Sequence, residues 1–463
     1  SHHQADILTH MHHKFPLSHG NGSIAMTDLS SSDADLTHTE PLLDESVHEE
    51  VLSESDDELF DDLSQHSGPE DAVSRGKCYI FLLFCCAMGG SLCYIATLSS
   101  LVYFKTAYGA NSYVYLNMAV YFPLVPVALA QARYDQEYDK EIGSYKAFFS
   151  RGLIGFTVSI ISVSLVPFTQ DLMELIVCTT FLGASGAVLQ GTFNQMASIV
   201  SDDPVPKAAV SAGLQSSAFL VLAVSLATDF GSSERSTGLK AFFFAIAAFQ
   251  AMLLSSFVVL MYRSRRVSRA MLRRDTSIMV PLVDVDDDGE PIEQVVEMDY
   301  RNIWKRTSLC CVTLVLTLVP SFLVGSWFTH VKSNNVAFPQ ILFYTRILSD
   351  FFGRPVTIFF QPRNVKHLCI LSLLRLILVA IFFLNASTYY FPRREVLSIT
   401  LVALIASSSG YLVTGCFQLA PSLLPLDQRE GAVSKQASLL NIAFSLAAFI
   451  GTSASLVLSL IGL

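Results

Sequence analysis

The chain has 463 residues, of which 51% are hydrophobic and 15% are charged, and its mean hydropathy is +0.46. Soluble globular domains carry about a quarter charged residues, so this composition indicates a protein embedded in lipid. The net charge is −10, and the sequence shows no basic patch of the kind that nucleic-acid binding requires.

Residues 1–74 are the most polar segment, and they hold 17 of the 40 acidic residues and 9 of the 11 histidines. Because the segment has few aromatic side chains, it cannot bury enough apolar area to offset the entropy of ordering. We therefore expect a disordered, acidic, cytosolic tail. Its Leu42-Leu43 pair could be read by sorting adaptors, and its serines followed by acidic residues could be read by kinases. Chance matches are the alternative in both cases.

From residue 78 onward, apolar stretches recur at the length of about 20 residues that a bilayer-spanning helix needs. Each stretch should be helical, because backbone polar groups in hydrocarbon must be satisfied within the segment. The predicted spans are 78–102, 111–131, 148–168, 173–199, 206–229, 239–262, 307–331, 337–361, 366–386, 395–421 and 431–460. The pattern predicts an all-α polytopic membrane protein with about 11 transmembrane helices.

A polar segment, residues 263–306, separates six predicted spans in residues 75–262 from five in residues 307–463. Twenty Lys and Arg residues lie on the side of the N-terminus and of this segment, against six on the opposite side. Since cytosolic loops carry the excess of Lys and Arg, the N-terminus and the polar segment should be cytosolic. The pattern leaves two locations open, the plasma membrane and an internal membrane of the vacuolar or lysosomal type.

Three charged residues, Arg346, Asp350 and Arg354, lie within the eighth predicted span. Their spacing of four residues places them on one helical face, so Asp350 can pair with either arginine or with both. Charges at this depth cost about 2.5–3.5 kcal/mol each on insertion scales, and they usually face a pathway or a partner. The stripe suits the hydroxyls of a ribose or of another sugar; alternatively, it is a buried ion-pair network that fixes helix packing.

The next candidate is Gln190 in the fourth predicted span, with Asn194 one turn beyond it. A carboxamide both donates and accepts hydrogen bonds, which suits the edge of a nucleobase. The alternative is hydrogen bonding between helices, which small neighbours such as Gly186 would allow. Arg375 in the ninth predicted span is interpreted as an anchor between helices rather than a substrate ligand.

These motifs and their order resemble the equilibrative nucleoside transporter family. The most specific stretch, similar to that family's D-x-x-G-R in its eighth helix, is Asp350-Phe351-Phe352-Gly353-Arg354. The segment around Gln190 is similar to a glutamine segment in the family's fourth helix, and the resemblance covers essentially residues 77–463. It implies a major-facilitator-like fold in which Gln190 contacts the nucleobase, while Asp350 and Arg354 contact the ribose or close the pathway.

The first helix departs from the family pattern G-x-x-L-P-W-N. The matching stretch here runs from Gly89 to Ala96, with Leu92 at the family's leucine. The family's tryptophan is absent, and Tyr94 is the residue that would replace its aromatic ring. By resemblance, Leu92 and Tyr94 join Gln190, Asn194, Asp350 and Arg354 as candidate substrate-binding residues. Arg346, Gly353 and Arg375 are expected to have gating or structural roles. The departure affects the identity of the substrate more than transport itself.

We expect a facilitative transporter of nucleosides or nucleobases that acts as a monomer by alternating access. It is not expected to be an enzyme, and neither a cofactor nor a metal is implied. Two alternatives stay open: a major-facilitator carrier of sugars or other small polar solutes, and a non-transporting scaffold or signalling protein whose tail recruits partners. The transporter hypotheses require Gln190, Asp350 and Arg354 to meet at one cavity.

Overall fold

All the regular structure in the described part of the chain is helical. The structure is a computed structural model, and it describes residues 69–109, 111–201, 203–230, 238–279, 299–331, 333–387, 394–425 and 429–461. The predicted tail up to residue 68 lies outside these ranges, and so do residues 280–298 of the polar segment.

The helices follow one another through short connections. They are α1 (Pro69–Ser99), α2 (Leu101–Tyr108), α3 (Ser112–Tyr121), α4 (Leu124–Ile142), α5 (Ser144–Leu165), α6 (Leu172–Val200), α7 (Pro204–Ala227), α8 (Leu239–Arg263), α9 (Arg265–Met279), α10 (Tyr300–Ser326), α11 (Phe338–Gly353), α12 (Val356–Phe359), α13 (Val365–Ser387), α14 (Arg394–Leu419) and α15 (Arg429–Ile461). Short 3-10 helices follow α5, α10 and α14 at Val166–Phe168, Phe328–His330 and Ala420–Leu423.

Ten helical segments within the described ranges are long and apolar enough to cross a bilayer. One of them, Ser112–Ile142, combines α3 and α4. Large apolar side chains such as Ile154, Phe181 and Ile377 point away from the bundle and are exposed. An apolar outer surface of this kind is costly in water, so the chain is an integral multi-pass membrane protein.

The eighth predicted span, 337–361, is not one long helix. Its first part, α11, has 16 residues and is about 24 Å long at 1.5 Å per residue, shorter than the roughly 30 Å hydrocarbon core. Pro355 lacks an amide hydrogen and disfavours helical geometry in the residue before it, and the chain turns there into the four-residue α12. The predicted count of about 11 therefore becomes ten helices of spanning length plus this short one, and the six-plus-five count is not confirmed.

Two segment boundaries also differ from the expectation. Helix α1 begins at Pro69, inside the segment predicted to be a disordered tail, because proline is favourable in the first turn of a helix. The polar segment begins with a helix, α9, whose Val267 and Met271 are fully buried. Their spacing of four residues gives α9 an apolar stripe, so it lies against the bundle rather than forming an irregular loop.

The described helices belong to one compact unit, Pro69–Leu463. In the N-terminal half, α1 packs against α6, α7 and α8; in the C-terminal half, α10 packs against α13 and α15, and α11 packs against α14. The halves meet where α3, α4 and α6 contact α15, and where α7 contacts α11 and α14. This seam between the halves positions the candidate site.

Candidate functional site

A cavity of about 70 Å³ lies at the seam, roughly midway along the spanning helices. Its wall mixes aromatic, amide and charged side chains from both halves, among them Tyr94, Tyr121, Gln190, Gln215, Phe322, Arg346, Asp350, Arg354 and Phe444. We call it the central cavity.

A second cavity of about 30 Å³ adjoins the first. Asn194, Ser198 and Lys207, at the adjoining ends of α6 and α7, line it. These ends are on the face of the bundle where α8 leads into α9, which we call the loop side. The two cavities share a wall formed by Tyr94, Gln190, Gln215, Arg354 and Phe444.

Asp350 and Arg354 form a buried ion pair at the loop-side end of α11. The Nε and Nη2 atoms of Arg354 donate to Oδ2 of Asp350 at 2.9 and 2.8 Å. Its Nη1 atom donates to the carbonyl and hydroxyl oxygens of Ser211 on α7, both at 2.7 Å. Arg354 thus ties the two halves together, while Oδ1 of Asp350 takes no hydrogen bond from a described residue and remains an acceptor.

Arg346 does not share this pair. In the described part of the chain, no carboxylate lies within 4.0 Å of its guanidinium, so Asp350 pairs with one arginine of the stripe and not with both. The guanidinium of Arg346 instead lies 5.3 Å from the ring centroid of Phe322. One cation therefore faces the central cavity without an anionic partner.

Two glutamine amides face the cavities from the N-terminal half, Gln190 on α6 and Gln215 on α7. Neither side chain forms a hydrogen bond with another described residue. The alternative for Gln190, hydrogen bonding between helices, is therefore not seen, and both amides retain their donors and acceptors. Tyr94 lies beside them in the shared wall, with its ring centroid 6.5 Å from that of Tyr121.

The remaining predicted residues divide between cavity and scaffold. Asn194 lines the second cavity and donates to Oδ1 of Asn441 at 3.0 Å, across the seam. Leu92 is fully buried in the apolar core and lines neither cavity, so the structure does not bring it to the site. Arg375 donates to the carbonyls of Ile405 and Thr317 at 2.9 and 2.5 Å, which is the arrangement of an anchor between helices.

Gly353 holds α11 close to α14, and Gly410 on α14 does the same from the other side. A Cβ atom at Gly353 would lie 2.0 Å from the carbonyl oxygen of Ser407, and one at Gly410 would lie 2.2 Å from that of Asp350. Side chains at either position would force the helices apart. The two glycines therefore set the position of the Asp350 backbone.

Replacement of Gly410 by alanine should destabilise the folded protein by about 1–3 kcal/mol, the usual cost of overpacking, and should displace Asp350. The measurement is the melting temperature of the purified protein in detergent. The matched control is Gly415→Ala on the same helix, where the new methyl group would meet only side-chain atoms, the nearest at 3.2 Å. Equal melting temperatures for the two variants would contradict the role given to Gly410.

A buried cluster of charges on the loop side was not anticipated from the sequence. Arg151 on α5 pairs with Asp135 and, at 2.6 Å, with Asp139, both on α4. Arg274 on α9 pairs with Asp139 at 2.7 Å. Burial lowers the pKa of the Arg274 guanidinium from its ordinary value, and the Asp139 carboxylate acts in the opposite direction. The cluster fixes α9 to the bundle.

The charge cluster continues across the seam. Gln195 donates to Asp135 at 3.0 Å and to the hydroxyl of Ser438 on α15 at 3.1 Å. Arg274 donates to Ser434, also on α15, at 3.3 Å. The loop side is therefore closed by hydrogen bonds that join the N-terminal half to α15.

Several site residues were missed by the sequence reasoning, most clearly Gln215, Tyr121 and Phe322. Gln215 carried a usable signal, because it is a lone carboxamide within an apolar predicted span, as Gln190 is. The aromatic residues carried none, since aromatic side chains also occur throughout the apolar core.

No family model matches the chain, and no curated protein matches it. Among solved structures, the chain is similar to the human organic anion transporter MFSD10 (TETRAN), with a TM-score of 0.54 and 12% sequence identity. The match covers 86% of this chain and 95% of that chain. At this identity the likeness concerns the fold, and it confirms the expected all-helical, major-facilitator-like architecture.

Proposed function

We propose that the protein is a membrane transporter that carries nucleosides or nucleobases by facilitated, alternating access. The observation that supports this most is the wall of the central cavity. There, the unsatisfied amides of Gln190 and Gln215 in one half meet the Asp350–Arg354 pair of the other half. Polar groups left without protein partners inside a membrane protein are costly unless they serve a polar ligand or water.

The amide and aromatic groups suit a nucleobase. Gln190 and Gln215 together offer two amide donors and two carbonyl acceptors, which match the alternating donors and acceptors along a base edge. Tyr94, Tyr121 and Phe322 line the same space and offer ring faces against which a planar base can stack. A sugar alone would use the amides and would leave the aromatic surface poorly matched.

The ion pair suits the ribose. Arg354 already directs its donors to Asp350 and Ser211, so its main effect on a ligand is to hold the Asp350 side chain in place. The Oδ1 atom of Asp350 is then the acceptor for a ribose hydroxyl. Because Arg354 also lies in the shared wall, the same pair blocks the route from the central cavity to the loop side.

The closure at both ends of the seam supports alternating access. On the loop side Ser211 bonds Thr414 at 2.8 Å, and on the opposite side Ser459 bonds Asn111 at 3.3 Å. Carriers with this fold expose a midplane site to one side at a time by moving one bundle against the other. The contacts at the two ends are those that such a movement would make and break.

A carrier of another small polar solute is the second candidate. Asp350 would accept a hydrogen bond from any sugar hydroxyl as readily as from a ribose. The solved neighbour is described as an organic anion transporter, so carriers of similar fold do move other cargoes. The two candidates differ in whether the aromatic and amide half of the cavity is needed for recognition.

The test is uptake of radiolabelled adenosine, uridine and hypoxanthine into proteoliposomes, with and without a pH gradient. Gln190→Leu should lower uptake about 10- to 100-fold, because a lost pair of hydrogen bonds leaves polar ligand groups unsatisfied. Gln361→Leu, at an exposed site between α12 and α13, is the matched control and should transport normally. Absence of uptake of all three compounds by a folded protein would refute the proposal, and accumulation driven by the pH gradient would refute the facilitated mechanism.

A further inference from the structure

The charges around the central cavity do not balance. Asp350 is the one acidic residue among the described side chains that line either cavity, whereas Arg346 and Arg354 both line the central one. A third arginine, Arg375, donates to Ser321, which lines the same cavity. Its other acceptors are the carbonyls of Thr317 and Ile405, so none of its hydrogen bonds goes to a carboxylate. Two positive charges next to the cavity are thus uncompensated.

Arg346 is the cation that can reach a ligand. Arg354 is occupied by Asp350 and Ser211. Arg375 itself lines neither cavity, and its donors are taken by backbone and hydroxyl oxygens. Arg346 has five N–H donors, and its guanidinium lies over the ring of Phe322, which is not a conventional hydrogen-bond acceptor. Its guanidinium therefore keeps donors that point to the interior of the bundle without an acceptor.

The protein makes room for this guanidinium. A Cβ atom at Gly325 on α10 would lie 2.4 Å from Nη1 of Arg346, so any other residue there would displace the arginine. Phe322 is on the same helix as Gly325, one turn before it, and its ring lies against the guanidinium of Arg346. An aromatic face stabilises a cation without neutralising it. The position of Arg346 is therefore fixed, while its charge remains available.

We infer that the ligand of the central cavity carries an oxyanion, a carboxylate or a phosphate group, and that Arg346 binds this group. The planar guanidinium matches two oxygens of either group at once, and the ligand charge compensates a cation that the protein leaves unpaired. The inference rests on the proposed function, because the base of the same ligand lies against Gln190 and Gln215. It narrows the cargo from neutral nucleosides to anionic nucleobase or nucleoside derivatives.

Binding to the purified full-length chain in detergent micelles tests this inference, with two pairs of compounds that differ in one charged group. The pairs are uracil with orotate, which adds a carboxylate, and uridine with uridine 5′-monophosphate, which adds a phosphate. The anionic member of at least one pair should bind more tightly. Arg346→Gln should weaken its binding about 10- to 100-fold, since charge-assisted hydrogen bonds are lost, and should change binding of the neutral member by less than about threefold.

Two variants control for charge and for folding. Arg346→Lys keeps the charge but loses the two-pronged geometry, so it should bind the anionic compounds with intermediate affinity. Arg363→Gln removes an exposed arginine beyond α12 and should bind all four compounds as the unchanged protein does. The melting temperature of each variant shows whether it is folded.

The outcomes separate the two proposals. Binding of uridine and uracil without binding of their anionic partners would overturn the inference and leave the proposed function standing. An equal loss of neutral and anionic binding in Arg346→Gln would also overturn it, because Arg346 would then act on the cavity as a whole. Binding of inorganic phosphate or benzoate as tightly as the base-containing anions would support the oxyanion site and refute nucleobase recognition. Binding of none of the compounds would refute both.

Discussion

Replacing Asp350 by asparagine should abolish transport, with uptake lowered by at least about a hundredfold, and should destabilise the protein by about 3–5 kcal/mol. The carboxylate takes two hydrogen bonds from Arg354 at 2.9 and 2.8 Å in a buried position. Without it, Arg354 becomes a buried cation with only Ser211 as a partner. Under the proposed function, the ribose of the cargo would lose its acceptor at the same time. Proteoliposome uptake and the melting temperature in detergent measure the two effects.

The double variant Asp350→Asn/Arg354→Gln separates stability from recognition. It removes both charges, so most of the lost stability should return, because the cost of the single change lies in the unpaired arginine. Uptake should stay low, since the acceptor for the ligand is still missing. Recovery of uptake together with stability would show that the pair only fixes packing, which is the alternative that the sequence left open.

Asp139→Asn should have a comparable effect on stability, about 3–5 kcal/mol, through a different mechanism. The Asp139 side chain is fully buried and pairs with both Arg151 and Arg274. Arg151 would retain Asp135, whereas Arg274 would lose the carboxylate that lies 2.7 Å from its Nη2 atom. Because Arg274 belongs to α9, we expect that helix to detach from the bundle. Loss of amide protection in α9, measured by hydrogen exchange with mass spectrometry, reports this directly.

A nearby acidic residue provides the matched control. Glu141 lies on the same helix, two residues after Asp139, and is exposed, so Glu141→Gln should leave the melting temperature and the exchange of α9 unchanged. Asp139→Asn/Arg274→Gln should recover part of the stability but not the attachment of α9. If Asp139→Asn alone left both properties unchanged, the cluster would contribute as little to stability as an exposed ion pair does.

The spanning helices were predictable from the sequence because hydrocarbon imposes one solution on the backbone. The exception, α11, shows where local sequence decides: Pro355 ends the helix, although the surrounding residues remain apolar. The beginning of α1 at Pro69 and the presence of α9 were missed for the opposite reason. Both are polar segments, and α9 packs against the bundle through the buried Val267 and Met271, which composition does not reveal.

The sequence could group the charged candidate residues, but it could not predict their partners. The spacing of Arg346, Asp350 and Arg354 put them on one helical face. Because both arginines are four residues from Asp350, the spacing could not show which of them pairs with it. Ser211 on α7, distant in sequence, makes the choice by accepting from Arg354. The loop-side charges were hidden for a similar reason, since Asp139 and Arg274 are 135 positions apart and meet only in the folded chain.

The closures at the two ends of the seam are unequal in strength. On the loop side, Arg354 donates to Ser211 at 2.7 Å and Tyr300 to the carbonyl of Ala132 at 2.6 Å. On the other side, Tyr113 approaches the carbonyl of Gly325 at 3.5 Å, and Ser453 meets a methionine sulfur at 3.8 Å. Hydrogen bonds weaken with length, so the side opposite α9 has the weaker closure. Under the proposed function, this is the end of the seam that would open first.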